Sequence, residues 1–537
     1  MSEEEIMLNQ KNDNIDVITS YNSVPYFIIE DDLTELRRSE YNAEMEKIIN
    51  LYKKYEIGEE FLTEGTNADY VASDLRYKKA STIINKEARF LFANPPTFNI
   101  NVNDVSSEVK KKNTILQDYL NKVLNKNLFN SKLIKAAKDC FIGKRIAIVL
   151  NVSEETGISI TFLNSLEFLY EKNETEELTK IVMFYNQNDT NYRQDQRWLK
   201  KIYELENGIV YVEEYIFNGL GELIEELTPR RKTKFEYIPV AIVLNDGLTG
   251  DLKGKSELGY LLGYEKHYSK LANADEDAER KSMNPTKYII DGSKNSTANL
   301  STGPGAVWDI QSDSEGVNEN LTANVGILEP AMNYSNALKI TLDRIENAMY
   351  SEVDVPNINS EQLQGVITSG KTINALYWGL TVRCDEKMLA WAPAFELIAK
   401  AIIDGGKLYP KAIVKYTNEL QLPDINYEIK VENNYPLPQD EESEKNMDLA
   451  EVSAMVMSKK AYIKKWRELS DEDADKELEQ IKKEQDFFNN SEMIPSEDEY
   501  NNSLDDDSAD IDSASESAQN DLDEQTKQNM VKQSSES

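Results

Sequence analysis

Lys255-Ser-Glu-Leu-Gly-Tyr-Leu-Leu-Gly-Tyr-Glu-Lys-His-Tyr-Ser-Lys-Leu-Ala-Asn-Ala-Asp-Glu-Asp-Ala-Glu-Arg-Lys-Ser-Met283 reads as one long helix, and Asn284-Pro285 ends it, because a proline pushes the residue before it out of the helical region. Two short β-prone runs follow, 287–290 and 306–310, separated by a stretch rich in Gly, Ser and Asn. A second helix is expected from 333 to about 350, with Tyr334, Leu338, Leu342, Ile345 and Met349 on one face. Two helices bracketing a small β insertion fix the reading as α+β. Beyond them lie a polar loop, 353–369, and a third long helix, 370 to about 404, in which Pro393 predicts a kink or a break.

Working back toward the N-terminus, helices are expected at 31–55, 69–91 and 113–140, the first capped by Asp31 or Asp32. The texture then changes to short runs rich in Val, Ile, Phe and Tyr at 145–152, 158–163, 167–171, 180–185, 199–204 and 209–217. A last strand reaches Leu244, and an Asn207-Gly208 turn joins two of the runs. These read as an antiparallel meander packed on the earlier helices. Toward the C-terminus a strand near 425–431 precedes a helical region, 442–488. From 491 onward the Asp-, Ser- and Asn-rich composition predicts an acidic disordered tail.

The chain has 537 residues, enough for several core-forming units, and carries 96 acidic against 60 basic side chains, a net charge of -36. That balance argues against a tight phosphate-gripping protein. A mean hydropathy of -0.58 fits an elongated subunit with exposed helices better than one compact globule. Cys140 and Cys384 give no disulfide framework and no zinc spacing, so folding in a reducing cytoplasm is expected. The polar start, 1–16, does not resemble a secretory signal, and no apolar run suits a membrane helix.

Catalytic patterns are weak. Asp275, Glu276, Asp277 and Glu279 suggest a metal-dependent nuclease, but neighbouring helical acids point in different directions, so a solvated face is the better reading. His267, the only histidine, has no visible partner constellation and is read as a packed or partly exposed helix residue. Gly254-Lys255-Ser256 ends like a phosphate loop, but Thr249 stands where the first glycine belongs. The expectation is a non-enzyme without cofactor or metal. The alternative is that nuclease.

Several stretches, in this order, carry a resemblance to one known family. Ser81-Thr-Ile-Ile-Asn-Lys-Glu-Ala-Arg-Phe-Leu-Phe-Ala-Asn-Pro-Pro96 looks like the family's helix ending in an Asn-Pro turn. Gly143-Lys-Arg-Ile-Ala-Ile-Val-Leu-Asn151 resembles the step that opens its sheet, and Ile238-Pro-Val-Ala-Ile-Val-Leu-Asn245 with Gly254-Lys-Ser-Glu-Leu258 the exit into its first stem helix. Ser369-Gly370 with Ala375-Leu376-Tyr377 resembles the start of its long kinked helix. There, polar Thr372 and Asn374 depart from the small or apolar and basic residues expected. Taken together, these stretches resemble the portal (head–tail connector) proteins of tailed phages, of the type found in siphophages of Gram-positive hosts; besides the nuclease, another virion component of the minor-head or tail type is the alternative.

The resemblance implies an elongated subunit: a flexible arm (1–27), a wing of helices and sheet (28–254), and a two-helix stem (255–283 and 333–351). It further implies a small α/β clip (284–332), a tunnel loop (352–369), a long kinked helix and wing return (370–437), a helical crown (438–490) and an acidic tail (491–537). It implies a dodecameric ring at one capsid vertex of the virion, made in the host bacterial cytoplasm. Double-stranded DNA passes through its channel, and the terminase large subunit and a head-completion adaptor dock on the clip. Major capsid and scaffolding proteins are further expected partners. In the loop, Asn357, Asn359, Ser360, Gln362, Gln364 and Thr368 suit transient neutral contacts, and Lys371 suits a weak phosphate contact. Lys287, Tyr288, Lys294 and Trp308 are the expected motor-docking residues of the clip.

Overall fold

The computed structural model describes residues 35–491 apart from 63–70, 104–105, 189, 191, 193, 252, 284–285, 291, 293–299, 301–307, 313–321, 329–331, 359–369, 418, 438–440 and 468. It divides into two compact units, Met1–Pro438 and Gln439–Ser537. Asp31, Asp32 and the expected tail lie outside the described residues.

In the first unit, helices α1 (Glu35–Ile57), α2 (Lys79–Phe92), α3 (Ser107–Lys126) and α4 (Phe129–Gly143) precede the main sheets, with β1 (Thr97–Asn101) between α2 and α3. Apolar spacing makes the helices. Leu133, Ala136, Ala137 and Cys140 recur along one face of α4 and are buried. Strands β2 (Arg145–Ser153), β3 (Gly157–Asn164) and β9 (Val240–Leu244) form an antiparallel sheet in the order β3-β2-β9. Central β2 alternates across that sheet: Ile146, Ile148 and Leu150 join the helix-side core, and Ala147 and Val149 face a second sheet. The second sheet is a five-stranded meander, β4 (Phe168–Lys172), β5 (Leu178–Asn186), β6 (Trp198–Glu206), β7 (Ile209–Phe217) and β8 (Leu223–Lys232). The expected single meander is therefore two sheets. β8 went unread because its apolar residues do not alternate cleanly and Pro229 interrupts them; as an edge strand with shifted register it tolerates both.

The chain continues with α5 (Glu257–Met283), the antiparallel pair β10 (Thr286–Ile290) and β11 (Asn324–Leu328), then α6 (Ser335–Glu352), α7 (Gly370–Leu376), α8 (Trp378–Leu408), α9 (Pro410–Ile413) and β12 (Glu428–Glu432). β12 pairs with β1, setting Phe98 opposite Val431 and Ile100 opposite Ile429. α8 runs through the middle of the core, where Phe395 meets Phe92, Phe98, Phe129 and Trp391 at ring-centroid distances of 5.5–6.0 Å. Cys140 and Cys384 are buried free thiols. Among the described residues no helix is long and apolar enough to cross a membrane.

Four expectations are corrected. Residues 71–78 are not helical, and α2 starts at Lys79, because side chains of α5 take up the backbone groups of that segment. The helix expected over 113–140 is two helices. The Asn127 side chain donates to the Val123 and Ile158 carbonyls and accepts from Ile160 N–H, while Leu128 turns to a φ of 52°. The described part of the expected strand 306–310, residues 308–310, is not a strand, and β10 pairs with β11. Pro393 does not end α8, which stays continuous around it because Trp391, Ala394, Phe395 and Ile398 are buried on its core face. The break falls at Tyr377, whose ring stacks on Phe90 at 5.5 Å, with Tyr435 stacked on Phe90 at 5.3 Å.

The second unit contains α10 (Glu441–Ser453), α11 (Lys459–Arg467) and α12 (Asp471–Ser491). Ser458 and Ser470 cap the latter two by accepting from Ala461 and Asp473 N–H. Ion pairs link the helices: Lys465–Asp448 at 2.7 Å, Lys460–Asp475 at 2.7 Å and Lys464–Asp471 at 2.5 Å, with Arg467 on Glu477.

Candidate functional site

Helices α5 and α6 pack together as an arm whose root is buried and whose tip is exposed. Leu258, Leu261 and Met349 are fully covered, whereas Met283 is 77% exposed and Ile340 59%. An extended strap runs along the middle and outer part of α5. Asp277, Asn273 and Ser269 accept from the N–H groups of Ser73, Leu75 and Tyr77 at 2.9, 2.8 and 3.2 Å. Asn273 also donates to Leu75 C=O, and Arg280 to Val71 C=O. The match is geometric: four helical residues rise about 6 Å, close to the span of two extended ones. Glu265 closes the strap by accepting from Glu59 and Ala80 N–H; burial pushes its carboxyl up, and those two bonds pull it back.

This corrects the reading of the acid run as a solvated face. Glu276 accepts from the Ser73 and Tyr77 hydroxyls, so the run is partly a backbone-binding stripe. His267 is exposed on α5. Among the described residues, no group of three or more His, Cys, Asp and Glu side chains is placed to hold a metal.

A second lock joins the root of α5 to α2 and α8. Glu87 and Glu257 are both 0% exposed. Arg383 reaches them at 3.0 and 3.1 Å, and Lys387, one turn on, contacts both, donates to Asn245 Oδ1 and lies over the Phe141 ring. Sequence reading missed this cluster. Its signal was the i, i+4 spacing of Arg383 and Lys387 in an otherwise apolar helix.

At the tip, Tyr288 of β10 lies opposite Gly326, and its ring occupies the space a side chain there would fill. Lys287 Nζ sits 4.7 Å over the Trp308 ring. Tyr288, Ile290, Val325, Ile327 and Leu328 are all at least 43% exposed on this two-stranded ribbon, and such a ribbon is marginal alone. Lys287 and Trp308 are thus brought together, Tyr288 points to the opposite face of the ribbon, and Lys294 lies outside the described residues.

At the base of the arm, Val353 and Val355 are buried and Asp354 turns to a φ of 50°. Asn357 donates to Asn347 of α6 at 2.9 Å. A cavity of about 420 Å³ opens there, walled by Lys86, Arg89, Phe90, Pro356, Ile358 and Tyr377 among others. Asn359, Ser360, Gln362, Gln364 and Thr368 lie outside the described residues, and Lys371 is placed in α7 by its backbone alone.

The described residues thus form a firmly anchored arm with an exposed apolar ribbon at its tip. The family model for phage portal proteins of the SPP1 Gp6-like type matches residues 32–487, and the chain belongs to that family. It is a structural, non-enzymatic family of the phage virion. No curated protein matches the chain.

Proposed function

We propose that the chain forms a dodecameric ring at one capsid vertex, through which duplex DNA enters during packaging and leaves on ejection. The order of arm, inserted ribbon, basal loop and long helix, within a portal-family match, carries this reading. In it, 28–254 and 370–437 form the wing, α5 and α6 the stem, and 284–332 the clip that docks the terminase large subunit and then a head-completion adaptor. Residues 352–369 are the tunnel loop and 438–490 the crown. The wing and crown meet major capsid and scaffolding proteins, and the subunit is made in the host cytoplasm before entering the virion.

The net charge of -36 suits a conduit, since each phosphate neutralised by Lys or Arg adds salt-sensitive affinity and a barrier to sliding. Exposed Tyr288, Ile290, Val325 and Ile327 give the ribbon an apolar surface that a partner would cover. Negative-stain electron microscopy with mass in solution tests the ring. Annular particles of about a dozen subunits with a duplex-wide hole are expected, and a strict monomer across salt and concentration would sink the reading. Asn357→Ala with Gln364→Ala should impair packaging yet leave ring formation intact; normal packaging would refute the loop assignment.

A further inference from the structure

On a chain this acidic, a cluster of cations without acidic partners stands out. Arg89 on α2 and Lys135 and Lys138 on α4 make no ion pair or hydrogen bond among the described residues. The two helices pack face to face, with Ile84, Ala88 and Leu91 of α2 and Leu133, Ala137 and Cys140 of α4 fully buried. Their outer faces therefore hold the three cations on a rigid support. Arg89 and Lys135 are exposed and Lys138 half-buried. Burial, and then the charges of Arg89 and Lys135, push the Lys138 ammonium down; only Asp139 beside it pulls the other way. Asp139 makes no ion pair with Lys138; it accepts from the Tyr52 hydroxyl, and burial pushes its carboxyl up to about 6. Glu56 at the end of α1 acts with Arg89 on Tyr55, and Glu167 lies near Asp139.

The cluster continues to the basal loop. Arg89 and Lys86 wall the cavity formed with Pro356, Ile358 and Tyr377, and Lys86 is already spent on the neutral Tyr350 hydroxyl and ring. Fixed, unneutralised cations beside that loop match the repeating phosphates of a nucleic-acid backbone, for which Arg adds a planar fork.

We propose that Arg89, Lys135 and Lys138 form a phosphate-binding patch for duplex DNA at the root of the basal loop. This rests on the reading of the chain as a DNA conduit. Within it, the patch is a salt-sensitive brake in an otherwise repelling wall.

The test is titration of a fluorescent DNA duplex onto assembled rings between about 50 and 200 mM salt, the range over which phosphate pairing dominates affinity. Rings carrying Arg89→Gln, Lys135→Gln and Lys138→Gln should bind at least tenfold more weakly at low salt. Their slope of log affinity against log salt should be shallower by about 0.9 for each phosphate no longer neutralised. Lys135→Arg with Lys138→Arg should keep the slope. Unchanged affinity and slope in the triple glutamine variant, or no duplex binding by unsubstituted rings, would overturn the proposal. So would a triple variant that folds but no longer forms rings, which would assign the patch to an acidic face of the neighbouring copy. Failure of the unsubstituted chain to form rings would sink the ring reading, and this proposal with it.

Discussion

Two ionic clusters in this molecule use the same residue types and differ in what surrounds them. In the first unit, Arg383 and Lys387 are 18% and 9% exposed against two fully buried glutamates. In the second, the side chains of Lys460, Lys464 and Lys465 are 35–47% exposed. Pair length does not decide their worth: exposed Lys464–Asp471 spans 2.5 Å and Arg383–Glu87 of the buried cluster 3.0 Å. Water and salt replace an exposed partner at little cost, whereas a buried charge that loses its partner has nothing to turn to. The surroundings differ in the same sense. Trp391, Phe395, Phe129 and Phe141 are buried in the first unit, while among the described residues of the second the only buried apolar side chains are Ile463 and Ala474.

The comparison breaks most easily at Lys387. Lys387→Met leaves Glu87 and Glu257 short of a cation and should cost about 3–5 kcal/mol in chemical denaturation. A loss below about 1 kcal/mol, the value of an exposed pair, would mean that solvent reaches the cluster.

Asp139 sharpens the contrast, being a largely buried acid bonded to a hydroxyl rather than paired with a cation. Its folded-state pKa, about 6, lies above the ordinary 3.8, so the folded chain holds the proton longer. That stability is fully present below about pH 4 and lost as pH rises through about 6. Glu167, pushed by burial to about 7, extends the decline in the same direction. Asp139→Asn should therefore match the unsubstituted chain near pH 4 and exceed it by roughly 3 kcal/mol near pH 7. Parallel stability–pH curves for the two would refute this.

The smallest effect belongs to the exposed pairs. Raising salt from 0.1 to about 1 M shortens the screening length from roughly 10 to 3 Å. Amide exchange in α11 and α12 should quicken by a free energy of at most about 1 kcal/mol per pair, with that of α4 and α8 unchanged. Equal protection in both units at both salts would mean the pairs hold nothing.

The α+β class and most element positions were legible because apolar spacing writes them into the chain, as in α3, α6 and the alternating β2. Side chains reaching in from elsewhere were not legible. Residues 71–78 contain nothing that forbids a helix, and only the stripe Ser269, Asn273 and Asp277 draws them out straight. The break at Leu128 has no glycine or proline to announce it, because Asn127 makes it by bonding to β3. The expected loop residues were chosen for neutral polarity, and Asn357, the one whose side chain is described, is tied back to α6.

By itself, then, the sequence determined where helices and strands run and which faces are apolar, since those follow from periods of 3.6 and 2 within one segment. Tertiary structure alone decided which charges are buried, which backbone is captured by a side chain, and which cations make no ion pair among the described residues. Each of these depends on groups brought together from distant parts of the chain, and a local pattern carries no record of its future neighbours.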